Sequence, residues 1–401
     1  MAQLGSTSEQ GRLYNERIIL HLVRQYPGIS RVQIAAKTGL SAQTISVISS
    51  ALLERGLLTV TGKVKGNRGQ PSVMLSICPE GAFGLGINVD RDHISAALID
   101  FSGECILLRE QPVQFPTQQQ AQSIALSLIN EVKLTLGEGW QRVQGIGLAK
   151  PDHMSLWLES LVTDTQQRQQ LDELSAALTY WQTDQFSQWL SEQTELKTST
   201  ANDANAAALN ELLLSKSAYK KHFFYIYIGT ACGGGVVTDG ECYYGANGRA
   251  ADFGLIPTAT GCLGKQILEA FSVSSLAHYL DQVGKAYPQK AEDWLDAGVH
   301  LRLQDWLDTV SDEVLPALIT VIALYDPECI LFGGRLPTQV LEPLLTGLAQ
   351  KLQQACPPGM QIPPLGIAET GATAGVVGAA ILPLYDTFAP YRSLLLINEK
   401  Q

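Results

Sequence analysis

The apolar pattern of this chain changes period at Phe83, and that change constrains the fold more than any single motif. Before it, apolar residues recur at helical spacing. Ile18, Ile19, Leu22 and Val23 fall at i, i+1, i+4 and i+5, the stripe of an amphipathic helix that Pro27-Gly28 ends. After it, Phe83 to Val89 and Ile94 to Phe101 run apolar or alternate around the polar turn Asp90-Arg91-Asp92-His93. Asp100 to Gly103 then turns the chain into a third strand through Cys105 to Leu108, completing a β-meander. A helical stretch near Ala121 to Leu136 precedes a strand at Val143 to Ala149, the strand–helix alternation of an α/β fold. The unit recurs, with strands at Phe223 to Gly229 and Gly234 to Thr238, helices after them, and a strand at Cys329 to Phe332 ending in Gly333-Gly334. These patterns predict a helical head over residues 1–80 and a body of two similar α/β halves with a cleft between them.

Composition narrows the class. At 401 residues, 45% hydrophobic and 17% charged, the chain has globular composition, which excludes disorder and collagen-like repetition. The run nearest to a membrane span, Val314 to Tyr325, falls well short of the roughly 20 residues needed, and it abuts Asp312, Glu313 and Asp326. Seven scattered Cys with no CxxC pair, and an N-terminus without a basic segment followed by an apolar stretch, lead us to expect a cytoplasmic protein with reduced thiols. The net charge of −11 hides an asymmetry: residues 1–80 carry nine Lys and Arg against four Asp and Glu, and the rest nineteen against thirty-five. A basic head on an acidic body implies that only the head meets a polyanion.

Within the head, Ser30 caps a short helix carrying Val32, Ile34 and Ala35, Thr38-Gly39-Leu40 turns the chain, and Ser41 caps a third helix. Two short helices about a glycine turn form a helix-turn-helix. On the third helix Ile45, Ile48 and Leu52 share one side, leaving Gln43, Ser46, Val47 and Ser50 as a small, uncharged face suited to a major groove. Gly56-Leu57-Leu58 stops that helix, and strands at Leu58 to Gly62 and Val73 to Ile77 flank a glycine-rich loop with Lys63, Lys65 and Arg68, a wing. Gln43, Thr44 and Ser46 are the candidates for base contacts, and Lys63, Lys65 and Arg68 for phosphates of double-stranded DNA. Arg31 and Arg12 are weaker candidates for DNA contact, with ordinary surface charge as the simpler reading.

In the body, Asn202-Asp203-Ala204-Asn205-Ala206-Ala207-Ala208 follows a strand and opens a helix. Polar residues at such a junction mark a site at the strand's carboxyl end, although helix capping alone needs only one of them. Gly229-Thr230-Ala231-Cys232-Gly233-Gly234-Gly235 frees backbone N–H groups to approach an anion, or serves a tight hairpin.

Together with the winged head ending in Gly69-Gln70-Pro71-Ser72, Phe332-Gly333-Gly334 and Gly371 to Ala380, these blocks resemble the ROK family (repressors, open reading frames, kinases), and within it the NagC-like and Mlc-like sugar-responsive repressors. The resemblance implies an actin-like, sugar-kinase-type body of two α/β subdomains. The first would span residues 81–200, rejoined by 384–401, and the second 201–383. It implies a sugar or sugar phosphate in the cleft, bound by Asn202, Asp203, Asp252 and Glu269, and homodimers or homotetramers. Asp203 matches the base of the kinase members. Two departures stand out. The kinases' glycine-rich phosphate turn here reads Asn88-Val89-Asp90-Arg91-Asp92-His93, which should repel a triphosphate, so catalysis is not expected. Of the family's one His and three Cys zinc ligands only Cys262 remains, with Leu255, Thr260 and Ile267 elsewhere, so no metal or cofactor is expected. Gly261 to Leu268 must then be held by packing or be mobile. The expected function is a repressor of carbohydrate uptake or metabolism genes. The alternatives are a carbohydrate kinase carrying a DNA-binding head, and an effector-independent DNA binder with a vestigial sugar site.

Overall fold

The computed structural model describes residues 8–64, 72–152, 154–158, 162, 171–215, 221–288, 293–294 and 296–390. In the head, α1 (Ser8–Gln25) is followed by β1 (Ile29–Ser30), α2 (Arg31–Thr38), α3 (Ala42–Glu54), β2 (Leu58–Val64) and β3 (Ser72–Ile77), with the strands in the antiparallel order β1-β3-β2. The expected caps form. The Ser30 side chain accepts from the Gln33 N–H in a capping box, Gly39 takes the left-handed conformation that ends α2, and Ser41 accepts from the Thr44 N–H. Ile19, Val23, Ile34, Ile45, Leu52 and Leu75 close the core of the head.

The two halves of the body repeat one topology. The first sheet comprises β4 (Phe83–Val89), β5 (His93–Asp100), β6 (Cys105–Pro112), β7 (Val143–Ala149) and β8 (Thr198–Ala201) in the order β6-β5-β4-β7-β8. The second comprises β9 (Phe223–Ile228), β10 (Cys232–Thr238), β11 (Glu241–Cys242), β12 (Cys329–Gly334) and β13 (Leu365–Ile367) in the order β11-β10-β9-β12-β13. In each sheet three antiparallel strands lead and two parallel strands follow. Helices α4 (Gln118–Leu136), α5 (Leu171–Leu178) and α6 (Gln185–Thr194) cover the outer face of the first sheet. The second is covered by α8 (Ile267–Ala270), α9 (Val273–Gln282), α10 (Ala297–Tyr325) and α11 (Thr338–Ala355).

Between the sheets run α7 (Asp203–Leu214), which packs on β9 and β10, and α12 (Ala374–Phe388), which packs on β4, β5 and β7 and against α7. The return to the first half therefore begins at Ala374, ten residues ahead of the expected 384. Glycine explains the close fit. A Cβ at Gly86 would strike the Val376 carbonyl, one at Gly147 the Ala379 carbonyl, and one at Gly378 the Ala206 carbonyl. None of the described helices is long and apolar enough to cross a membrane.

The head rests on the first half. Arg17 donates to the Ala389 carbonyl at 2.9 Å, and Arg24 donates to the Phe101 carbonyl at 2.8 Å with its guanidinium over the Phe101 ring. Phe101 in turn packs on Phe388, with ring centroids 4.7 Å apart. Beside this seat lies a cavity of about 210 Å³, where Leu20 and His21 of α1 and Leu384 and Phe388 of α12 face the Asp239–Glu241 turn of the second half.

Candidate effector cleft and DNA-reading face

Parallel strands β7 and β8 end at the same edge of the first sheet, the usual place for a ligand in an α/β fold. There β8 delivers Asn202, the N-cap of α7. Its Oδ1 accepts from the Ala204 N–H at 2.9 Å while its Nδ2 donates to Asp152 at 3.0 Å. Asp203 Oδ1 accepts from the same Ala204 N–H, also at 2.9 Å. These residues line a cavity of about 70 Å³ with Arg91, Trp157, Asp252, Leu255 and Leu268. The structure thus brings together Asn202, Asp203 and Asp252, and adds Asp152, Arg91 and Trp157. Asp152 lies in the Lys150–His153 segment, which stands where many family members have a sugar-side turn, and its contact with Asn202 depends on β7 and β8 being neighbours.

Glu269 is not brought into this cavity. Its Oε2 accepts from the N–H groups of Lys265 and Gln266 at 3.0 and 3.1 Å, in a capping box that starts α8, and it lines a separate pocket with Cys262 and His278. The glycine block is largely a packing device. A Cβ at Gly235 would lie 2.6 Å from that of Ala208, so the glycine lets β10 seat on α7, while Gly233 and Gly234 line the cleft.

Charge dominates the end of the cleft where the resemblance places nucleotide phosphates. Arg91 is buried, which lowers its pKa, and the pull of Asp90, Asp203 and Asp92 offsets only part of that lowering. Asp203 is pushed up to about 7, by burial first and then by Asp90, with Arg91 and the Ala204 N–H drawing it back. Asp92 of the β4–β5 turn is gripped by Arg335, which follows β12 in the other half, with Nη1 at 2.6 and 2.5 Å from the two carboxylate oxygens. His93 Nδ1 lies 2.6 Å from Asp92, and Arg335 also reaches Glu110 at 3.8 Å. Burial pushes the Asp92 carboxyl up, but His93 and Arg335 hold it below the usual range. The two halves are thereby joined across the cleft by an ion pair.

On α3, Gln43, Val47 and Ser50 are exposed and Ser46 is half-buried, so the expected reading face forms. Thr44 contributes less to it, because its hydroxyl lies 2.8 Å from that of Ser41 and helps cap the helix. Arg31, at the start of α2 and a weaker candidate from the sequence, joins this face. Its Nη1 lies 3.4 Å from Ser46 Oγ and its Nη2 3.3 Å from Ser50 Oγ, which sets a cation on the reading face. Lys63 lies on β2 opposite Val73, and Lys65 and Arg68 lie outside the described residues.

Comparison with known proteins agrees with this architecture. A ROK family model matches residues 84–385, and a winged helix-turn-helix DNA-binding model matches residues 12–59. The xylose repressor of Bacillus spizizenii is 23% identical over 60% of this chain and 59% of its own length. The N-acetylgalactosamine kinase AgaK of a Shewanella species is 30% identical over 45% of this chain and 63% of its own. The chain thus spans about six-tenths of each of these curated relatives. A solved ROK family transcriptional regulator, a homologue of the E. coli MLC protein, superposes with a TM-score of 0.70 at 21% identity, covering 94% of this chain and 98% of that one. With a family model matched across most of its length behind a DNA-binding head, the chain belongs to the ROK family.

Proposed function

We propose that this protein is a cytoplasmic transcriptional regulator, a repressor of carbohydrate uptake or metabolism genes. It binds operator DNA through its heads as a homodimer or homotetramer, and a sugar or sugar phosphate in the cleft controls it without catalysis and without a metal or cofactor. The observation that carries this reading is the fate of the phosphate turn. A kinase needs a phosphate donor in line with its base, whereas here Arg91 packs its charge against Asp203 and Asp90, and Arg335 takes up Asp92.

The cleft also suggests how an effector acts. The pocket of about 70 Å³ shares Asp152 and Asn202 with a neighbouring one of about 420 Å³ that Tyr244 and Gly248 of the second half also line, so a sugar held there touches both halves and sets how far they part. The head rides on the first half, and that parting changes its setting. The effector then shifts DNA affinity by its differential affinity for the two arrangements.

A second reading, a sugar kinase carrying a DNA-binding head, is favoured by Asp203, whose pKa of about 7 suits a general base. The test is selection of operator fragments from random DNA, repeated with sugars and sugar phosphates, with and without ATP. A palindrome whose binding one sugar alters without ATP consumption supports the regulator. Sugar-dependent ATP hydrolysis lost in Asp203→Ala overturns it in favour of the kinase, and an operator that no sugar shifts leaves the cleft vestigial. Gln43→Ala should change the selected sequence, whereas Lys65→Ala should weaken all sequences alike and flatten the salt dependence.

A further inference from the structure

One wall of the cleft, Leu255 and Leu268, flanks the base of a loop that leaves the second half after Ile256 and returns at Ile267. Its base is tied by a bridge between Pro257 and Gln266 and by the Ile267 N–H donating to the Ile256 carbonyl at 3.0 Å. Its tip, Ala259 to Cys262, is exposed and has no apolar side chain large enough to anchor it. The tip nevertheless converges on one buried side chain of α10. Glu313 Oε2 accepts from the backbone N–H of Thr260 at 2.9 Å and of Gly261 at 3.2 Å. Glu313 Oε1 accepts from the Cys262 N–H at 3.3 Å, the Cys262 thiol at 2.8 Å and the Thr260 hydroxyl. The Glu313 carbonyl takes the Ala259 N–H at 3.2 Å. Burial pushes the carboxyl up, but these donors outweigh it and hold it well below the usual range.

The resemblance implies a zinc ion in this segment, and the side chains present do not fit one. Leu255 and Ile267 offer no donor, Thr260 is a hard hydroxyl, and the single soft donor, the Cys262 thiol, already points at Glu313.

We infer that Glu313 is a positioning residue for the effector cleft: a carboxylate at the centre of the Ala259–Cys262 tip does the organising work of a metal and so sets the Leu255–Leu268 wall against the ligand. The chemistry suffices. Five donors reach a carboxylate that has about four acceptor sites, and the longest of them, the Cys262 N–H, is shared with Thr260 Oγ1 at 3.3 Å; such a converging set on a buried anion fixes a loop as a metal fixes its ligands, with charge-assisted bonds roughly twice as strong as neutral ones.

The ligand consequence rests on the proposed function, whereas the structural one does not, and the experiment separates them. Amide hydrogen exchange over residues 258–265 is compared in the full-length protein, Glu313→Gln and the milder Thr260→Val, each with and without EDTA. Affinity for the sugar found in the panel is measured alongside operator affinity in its absence. Expected are loop exchange at least about tenfold faster in Glu313→Gln, matching the loss of one charge-assisted bond, and a smaller acceleration in Thr260→Val. EDTA should leave wild type unchanged, and sugar affinity should fall while sugar-free operator affinity holds. Unaltered exchange in both variants, or EDTA alone loosening the wild-type loop, overturns the inference. If no sugar binds wild type, the proposed function fails, and the exchange data still decide whether Glu313 holds the loop.

Discussion

The β4–β5 turn of the first half and the β9–β10 turn of the second occupy the same place in two copies of one topology, and they are built from opposite materials. The first, Asp90-Arg91-Asp92-His93, is charged and largely buried, and the second, Gly229-Thr230-Ala231, is small and uncharged. They meet at the cleft, where a Cβ on Gly229 would lie 3.5 Å from Asp90 Oδ2. The contrast shows how one end of a cleft can be filled from within. One turn supplies cations and carboxylates that satisfy one another, and the other supplies slender backbone that leaves them room. A bound nucleotide would have to displace Arg91 from its carboxylates as well as find its own place.

The largest effect that can break this picture comes from Arg91. Replacing it by Met leaves Asp90 and Asp203 facing each other without their shared cation, and should cost about 3–5 kcal/mol in urea unfolding, the usual loss when one partner of a buried charge set is removed. A loss under about 1 kcal/mol would mean that the turn is not an electrostatic knot.

Next is the pH response of Asp203. Its folded pKa, about 7, lies above its ordinary value of 3.8, so the folded state holds the extra proton between those limits and stability declines as pH rises through them. Comparing unfolding midpoints at pH 5 and pH 8 should show that decline in wild type and a flatter profile in Asp203→Asn. Identical profiles would place Asp203 in a more hydrated setting.

A smaller effect is expected from Arg335→Gln. The pair with Asp92 is about a quarter exposed, so its loss should cost only about 1 kcal/mol. The halves should nonetheless part more readily, read as faster limited proteolysis at the cleft. Asp92→Asn should be no worse in the Arg335→Gln background than in wild type if the two act as one unit.

Last, Gly229→Ala tests the slender turn. The added methyl would sit 3.0 Å from Tyr227 Cε1, an overpacking worth about 1 kcal/mol. No loss at all would show that the turn has slack.

Much of the fold was legible locally. Ser30, Gly39 and Ser41 place the helix ends of the head within a few residues of themselves, and the meander of each half follows from period and turns. What was not legible depends on chain segments far apart in sequence. The return of α12 at Ala374 rests on Gly84, Gly86 and Gly147, which look like ordinary strand glycines until a helix backbone lies on them. Arg31 and Ser46 are on different helices, and Asp92 and Arg335 on different halves, so neither pair leaves a mark in composition or periodicity. Glu269 was missed for a local reason. Family correspondence assigned it to the sugar, while in the structure it forms a capping box with Gln266, which lacks the Ser or Thr that would mark such a box in the sequence.

Helix α12 has a mechanical consequence. Its first half crosses α7, with Asn210 donating to the Ala374 carbonyl at 3.3 Å and Gly378 against Ala206, and just past its far end the Ala389 carbonyl takes the hydrogen bond from Arg17 of the head. It is therefore a lever with its fulcrum between the halves and its load at the DNA. From Gly378 to Phe388 is about 15 Å at 1.5 Å per residue, so a tilt of roughly 10° moves the head's seat by about 2–3 Å. In the dimer proposed above, with half-sites about 34 Å apart, that displacement would act once from each side. A sub-ångström change at the cleft can thus become a change of spacing that a rigid DNA duplex registers.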